Sequence, residues 1–358
     1  MRILFLQRQP CMRALKLAAG LRSAFPSIRL GFAYQGTTLT QWYGSGDELF
    51  ERWWNIGSEP TKGLRAAREE FRPDLVHSHN LPDSLTVIAL ELFAGRIPVV
   101  HDVHDLQSLR QTPYEDGFPE PRKPLALEQL AVEGCSALVT VSEELLEQIR
   151  ARYCVRAPTL AFPNYALRRD LPRVLPSAER RNGHPPRLVY QGTVSVNGGH
   201  YDLRGIFETI VGEGLSLDVY PSRNTPSYAE FAGRLPGLRV HATLSPPRLL
   251  AALPQYDFGW AGFNSALNGA HLDTCLPNKA YEYVGCGLPV LTLGHRALAR
   301  LVGEGCLGLS LATLDDLLGQ LSAVDLVEIR GRIAAARLEL TVEANIGRLV
   351  ELYEAAAG

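Results

Sequence analysis

The chain is 358 residues long, 46% hydrophobic and 21% charged, with a formal net charge of −2. That length favours two domains, each large enough for its own core. The near-neutral balance excludes whole-chain attraction to nucleic acid or to an anionic bilayer. Six cysteines (11, 135, 154, 275, 286, 306) show neither CxxC spacing nor tight pairing, which speaks for reduced thiols and against a structural zinc site. No apolar run approaches the roughly 18 to 20 residues that span a bilayer. The N-terminal apolar run is broken by Gln7-Arg-Gln-Pro10, too early for a signal peptide. A soluble cytoplasmic protein is expected, with peripheral contact at the inner face of a membrane left open.

Arg2-Ile-Leu-Phe-Leu6 is a short apolar run of the kind that opens a parallel sheet, and Cys11 to Phe25 carries apolar residues at helical spacing. The loop between them has no glycine, so the Gly-x-Gly-x-x-Gly fingerprint of a dinucleotide-binding dehydrogenase is missing. Ile28 to Tyr34 reads as a second strand, whereas 35–58, with Trp42, Trp53 and Trp54, gives no clear period. Leu64 to Phe71 and Ser84 to Gly95 read as helices that alternate with strands ending in His77-Ser-His-Asn80 and His101-Asp-Val-His-Asp105. Glu128 to Ala137 is a helix and Leu138 to Val141 a strand. Ser142 caps a helix from Leu145 to Tyr153, and Thr159 to Asn164 closes the half. Such alternation indicates βαβ units with right-handed crossovers.

Ligands of open α/β sheets sit beyond the carboxyl ends of the strands, where the two polar clusters lie. Their histidines and aspartates suit acid/base work, metal ligation or hydrogen bonding to sugar hydroxyls. His77 and His101, beside the apolar runs, read as satisfying loop backbone; His104 and Asn80, past the strand ends, read as functional. No third convergent ligand is visible, so no metal is expected.

Residues 167–187 are rich in Arg, Pro and Ser and read as a linker. The pattern then restarts with Arg187 to Gly192, a loop holding Gly198-Gly199, and a helix from Gly205 to Val211. Strands at Leu215–Tyr220, Leu238–His241 and Asp257–Ala261 alternate with helices at Tyr228–Arg234 and Ser245–Leu253. After the loop Gly262 to Thr274 comes a helix led by Pro277 and stopped by Gly287 and Pro289, then the strand Val290 to Leu293. Lys279, Glu282, Tyr283 and Cys286 share one face of that helix. A lysine, a glutamate and a helix N-terminus together can hold a phosphate and a sugar hydroxyl. Helices at 295–301, 313–321 and 326–356 close the chain. The expected fold class is α/β, with domains at 1–168, 187–340 and a C-terminal helix at 341–358, and a linker at 169–186. Two βαβ halves imply a cleft between them, the default place for a ligand.

Leu276-Pro-Asn-Lys-Ala-Tyr-Glu-Tyr-Val-Gly-Cys-Gly-Leu-Pro-Val290 resembles the donor-binding helix of retaining glycosyltransferases of family 4. Pro73 to His79, Pro98 to Asp105, Ala137 to Glu143, Phe162-Pro-Asn164 and Leu188 to Gly192 follow that family's successive strand ends in order. The resemblance implies a GT-B fold: two Rossmann-like domains facing a cleft, with the C-terminal helices returning toward the N-terminal domain. It implies a hexosyltransferase of carbohydrate biosynthesis in which the first domain binds the acceptor and the second the donor. The co-substrate would be a nucleoside-diphosphate sugar, UDP- or GDP-linked, with no tightly bound cofactor. The acceptor would be a polysaccharide, glycolipid or natural product.

By the same resemblance, Glu282 binds ribose hydroxyls, and amides around Leu276, Pro277 and Asn278 hold the distal phosphate with charge from Lys279. Arg204 stands where the family has lysine and becomes a phosphate-binding cation. Gly192, Thr193 and Thr274 line the donor. His104 reaches the transferred sugar, and Asn80, Arg8 and Asp105 contact the sugar or acceptor. Thr274 and Thr193 depart from the family, which often has a glutamate and an arginine there. A sugar-nucleotide epimerase on the same fold, or a degenerate nucleotide-sugar-binding partner subunit, are the alternative functions.

Overall fold

The structure, a computed structural model, describes residues 1–111, 122–175 and 184–358. The chain divides into two compact units: Met1–Leu167 with Val342–Gly358, and Arg168–Thr341.

The first unit runs β1 (Arg2–Gln7), α1 (Met12–Ala24), β2 (Arg29–Tyr34), α2 (Leu39–Tyr43), β3 (Arg52–Asn55) and α3 (Pro60–Phe71). It continues with β4 (Leu75–His79), α4 (Asp83–Phe93), β5 (Val99–Val103), α5 (Arg122–Gly134), β6 (Ala137–Thr140), α6 (Glu143–Arg152) and β7 (Thr159–Ala161). The sheet is parallel throughout, in the order β3-β2-β1-β4-β5-β6-β7. Ile3 to Leu6 are buried on both faces, which is why β1 reads as an unbroken apolar run. Leu4, Leu6, Ala33 and Val76 pack against Leu64, Phe71, Leu85 and Phe93 of α3 and α4.

The stretch 35–58 folds into α2 and the edge strand β3. A capping box between Thr38 and Gln41 starts α2. Trp53 of β3 stacks on Phe32 at 4.7 Å and 3°. Ser142 caps α6 by accepting from the Leu145 amide.

The second unit runs β8 (Arg187–Gly192), α7 (Arg204–Gly212), β9 (Ser216–Pro221), α8 (Pro226–Ala232), β10 (Leu238–Val240), α9 (Pro246–Ala252) and β11 (Phe258–Trp260). Then come α10 (Gly269–Leu272), α11 (Asn278–Gly285), β12 (Val290–Leu293), α12 (Arg296–Gly305), β13 (Gly308–Leu311), α13 (Leu317–Ser322) and α14 (Leu326–Ala336). Its sheet is parallel, in the order β10-β9-β8-β11-β12-β13. Tyr190, Phe207, Leu217, Val219, Tyr228 and Trp260 anchor its core. Part of the expected linker, 176–183, lies outside the described residues.

Two features differ from the sequence reading: the loop 262–274 contains α10, and β13 adds an edge strand. The closing stretch 326–356 divides into α14 and a C-terminal helix that begins at Val342, one residue from the expected 341. The break falls at 337–341, where Thr341 Oγ1 donates to the Leu338 carbonyl at 2.8 Å and Arg337 donates to the Pro172 carbonyl at 2.6 Å. Anchored there, the chain leaves the second unit, and α15 (Val342–Ala357) packs against α1 as part of the first.

Each sheet reverses its strand order around its first strand, β1 in one unit and β8 in the other. Such a switch point opens a crevice at the carboxyl ends of the strands on either side. The loops after β1 and β4, and those after β8 and β11, are therefore the places to look for a site.

Candidate functional site

In the second unit, α11 begins beyond this switch point. Pro277 takes the N-cap position with extended backbone, and Asn278 opens the helix. The first amides of any helix lack intrahelical acceptors, and the dipole adds partial positive charge there. At the far end Gly287 adopts φ +84°, a left-handed turn that glycine takes without penalty.

Lys279, in the first turn of α11, is buried. Its Nζ has no hydrogen-bond partner among the described residues and lies 4.0 Å from the Tyr190 ring centre and 5.5 Å from that of Phe263. Burial pulls the amine from its ordinary 10.5 down to about 7, only partly opposed by the charge of Glu282. Gly192, ending β8 at φ +129°, keeps the space beside it open. A Cβ at that position would meet Lys279 Cε and Nζ at 3.4 Å.

Glu282, one turn later and half-buried, accepts from the Gln191 side-chain amide at 2.6 Å. Gln191 is itself fixed, because its backbone amide donates to the Tyr283 hydroxyl at 2.9 Å. Lys279, Glu282, Gly192 and Gln191 thus converge at the end of β8. Thr193 follows, exposed, with Oγ1 3.3 Å from Ser222 Oγ.

Arg204 opens α7 and is turned onto Asp202, with Nε to Oδ1 at 2.8 Å and Nη2 to Oδ2 at 2.7 Å. The guanidinium holds Asp202 below the usual carboxylate range. Asp202 also accepts from Gly198 N at 2.9 Å, and its carbonyl accepts from Asn264 at 3.0 Å. The pair therefore ties down the loop after β8.

Thr274 is buried, and its Oγ1 donates to the His271 carbonyl at 2.7 Å, closing α10. Asp273 points to the next helix, accepting from Arg296 N at 3.3 Å while its carbonyl takes Ala297 N at 2.9 Å. Neither side chain presents a carboxylate where the family often has one. Leu276 is buried and Asn278 half-buried.

In the first unit, Arg8 follows β1, exposed, and its carbonyl takes the Gln35 and Gly36 amides at 2.9 and 2.8 Å. Asn80, after β4, is 1% exposed. Its Oδ1 accepts from His104 N at 3.2 Å and its Nδ2 donates to the Asp105 carbonyl. Asn80 brackets the turn that carries His104 and Asp105, both half-buried.

Below that turn lies a buried polar cluster. The β4/β5 register sets His79 beside Asp102. Both Asp102 oxygens take Arg13 Nε at 3.0 and 2.8 Å, while His77 Nε2 stands 3.1 Å from Asp102 and its Nδ1 2.7 Å from the Tyr353 hydroxyl. His101 Nδ1 meets Thr86 Oγ1 at 3.1 Å. His77 and His101 are thus satisfied by side chains rather than by loop backbone. His77, His79 and Asp102 offer ligand atoms within 4.8 Å of one another, and the Arg13 guanidinium already supplies the cluster's positive charge.

Sequence reasoning missed Gln191, Tyr190, Phe263 and Asp202. Only Gln191 left a signal, a polar residue ending an otherwise apolar strand at a switch point.

The glycosyl transferase 4-like domain family matches residues 13–165. No curated protein matches the sequence. Among solved structures, sucrose-phosphate synthase from Thermosynechococcus elongatus superposes with a TM-score of 0.72 at 13% identity, covering 99% of this chain and 98% of that one. The Anabaena protein HepE, in complex with UDP-glucose, gives 0.68 at 14% identity over 98% and 99%. The lipopolysaccharide outer core galactosyltransferase WaaB gives 0.67 at 12% identity over 98% and 99%. These identities establish the fold, GT-B, along the whole length. The superpositions therefore show a GT-B fold, and residues 13–165 of the first unit are similar to the glycosyl transferase 4-like domain.

Proposed function

We propose that the chain moves a sugar from a nucleoside-diphosphate sugar to a polysaccharide, glycolipid or natural-product acceptor, with retention of configuration and without a metal ion. The observation that carries this reading is Lys279: a buried amine without a hydrogen-bond partner, in the first turn of α11 and three residues ahead of the Gln191-bound Glu282. An amine so placed is satisfied by an anion, and the helix start favours the same charge. The complexes of HepE with UDP, with UDP-glucose and with UDP and glucose support a nucleotide-sugar donor.

In this reading Lys279 and the amides from Leu276 to Lys279 hold the distal phosphate, and Gly192 lets it approach. Glu282 takes the ribose, Thr193 borders the donor, and Arg204 adds positive charge at the start of α7. Thr274 shapes the donor side through α10. Charge that develops on the departing diphosphate is stabilised by these preorganised groups more than the ground state is. The first unit takes the acceptor through His104, Arg8 and Asp105 at the carboxyl ends of its strands, with Asn80 holding the turn that carries His104.

Thermal shift with UDP, GDP, dTDP, ADP and CDP identifies the nucleotide, since a ligand that binds the native state raises the melting point. Transfer assays with the matching sugar donor follow. Turnover that survives in both Glu282→Ala and Arg204→Ala would sink the proposal. Donor incubated alone tests the epimerase reading.

A further inference from the structure

We propose that Gln191 reads the ribose directly. Its buried amide oxygen accepts a hydrogen bond from one hydroxyl of the sugar's vicinal pair, beside the hydroxyl taken by Glu282. The donor is therefore a ribonucleotide sugar, discriminated from one whose ribose lacks that hydroxyl. This rests on the nucleotide-sugar reading above and narrows it.

Gln191 meets Glu282 Oε2 at 2.6 Å. A carboxylate has no hydrogen to give, so the amide nitrogen must face Glu282. That fixes Oε1 on the other side of the amide, and Oε1 is buried with no hydrogen-bond partner among the described residues. The side chain cannot turn to relieve it without losing its bond to Glu282. Its backbone is pinned as well, by the Tyr283 hydroxyl on the residue next to Glu282.

A buried acceptor of this kind calls for a donor. Phosphate oxygens at neutral pH are acceptors only, so the diphosphate cannot supply it. A ribose can, because its two adjacent hydroxyls each carry a hydrogen. Glu282 and Gln191 place two acceptors side by side at the carboxyl end of β8, at the switch point of the sheet. A ribose offers one hydroxyl to each, whereas a ribose without the hydroxyl that meets Gln191 leaves its Oε1 buried and unmatched.

The test is calorimetric titration of the full-length protein with UDP, 2′-deoxy-UDP and 3′-deoxy-UDP, repeated with the guanosine series if GDP is the nucleotide that binds. Wild type should bind at least one deoxy analogue about tenfold or more weakly, the penalty of an unpaired buried acceptor. Gln191→Leu and Gln191→Met, which remove that acceptor, should bring this ratio down to about twofold, with melting temperatures confirming a folded protein. A purely structural Gln191 would weaken all three ligands alike and leave the ratio unchanged. An unchanged ratio in both variants, or a wild type indifferent to the missing hydroxyl, overturns the inference alone. Failure of every nucleoside diphosphate to bind the wild type overturns the nucleotide-sugar reading and the inference together.

Discussion

The Nζ of Lys279 lies 4.0 Å from the centre of the Tyr190 ring and has no hydrogen-bond partner among the described residues. An amine between aromatic rings keeps some attraction for the ring face, yet it has lost the water that made its charge cheap. The empty site is therefore unfavourable for the charged amine, and under the proposed function a bound diphosphate relieves it.

Two pH dependences of opposite sign follow. The folded amine titrates at about 7 against an ordinary 10.5. Between those values the unfolded chain binds a proton that the folded chain releases, so this lysine makes stability rise with pH across that window. A bound diphosphate needs the charged amine, so nucleotide affinity should fall as pH rises above about 7, by up to about tenfold per unit. Urea unfolding and nucleotide titration from about pH 6 to about pH 9 measure both slopes. Lys279→Met should remove this residue's contribution to each; an affinity slope that survives the substitution would show another group to be responsible.

The buried cluster of the first unit predicts an acid weakness. Burial depresses His77 and His79 below 6.5, so the unfolded histidines take up protons that the folded ones refuse. Stability should decline as pH drops below about 6.5. Asp102 is held well below 3.8, chiefly through the Arg13 guanidinium and His77 acting against burial. Its contribution persists until pH falls through that depressed value. Asp102→Ala strands the buried Arg13 and should lose about 3–5 kcal/mol at neutral pH, read from urea midpoints. A loss within experimental error would mean that water reaches the guanidinium.

How much of this was legible beforehand follows from where the constraint sits. The strand β1 is buried on both faces, and its unbroken apolar run Ile3 to Leu6 announces that locally. The Lys279/Glu282 helix carries its own stop at Gly287 and Pro289. By contrast β3 is an edge strand with Arg52 and Asn55 exposed, so Trp53 found its place only through Phe32. The separate C-terminal helix expected from 341 is α15, which begins at Val342, and the turn before it is held where Arg337 donates to the Pro172 carbonyl. Gln191 matters through a residue 91 positions away, and no spacing rule reaches that far. Asn80 was noticed for its place after a strand, but its burial and its two backbone partners required the fold.

Arg204 offers a separation of stability from activity. Its ion pair with Asp202 is on the surface side, with 41% of the arginine side chain exposed, and such pairs contribute little to folding. Arg204→Ala should leave the melting temperature nearly unchanged. If the guanidinium also meets the donor phosphate, turnover should fall about 100-fold or more. Asp202→Asn is the counterpart: it keeps the arginine, weakens its tether, and loosens the Gly198 and Asn264 contacts. A large melting-point drop in Arg204→Ala with unchanged kcat/KM would assign the arginine to the loop alone.

Asn80 predicts a loss of rate without a loss of donor binding. Its side chain both accepts from His104 N and donates to the Asp105 carbonyl, so it grips the turn from two sides. Asn80→Ala removes both bonds, and a displacement of His104 by about 1 Å is enough to lower kcat by as much as 100-fold. Asn80→Asp keeps an acceptor for His104 N but sets a carboxylate oxygen against the Asp105 carbonyl, so it should lose at least as much as alanine. Nucleotide affinity should stay at the wild-type level in both, because Lys279, Glu282, Gln191 and Gly192 all belong to the second unit. Steady-state kinetics with a nucleotide titration alongside separates the two quantities. Wild-type kcat in both variants would remove His104 from the reaction, since the bracket would then hold a turn that the chemistry does not need.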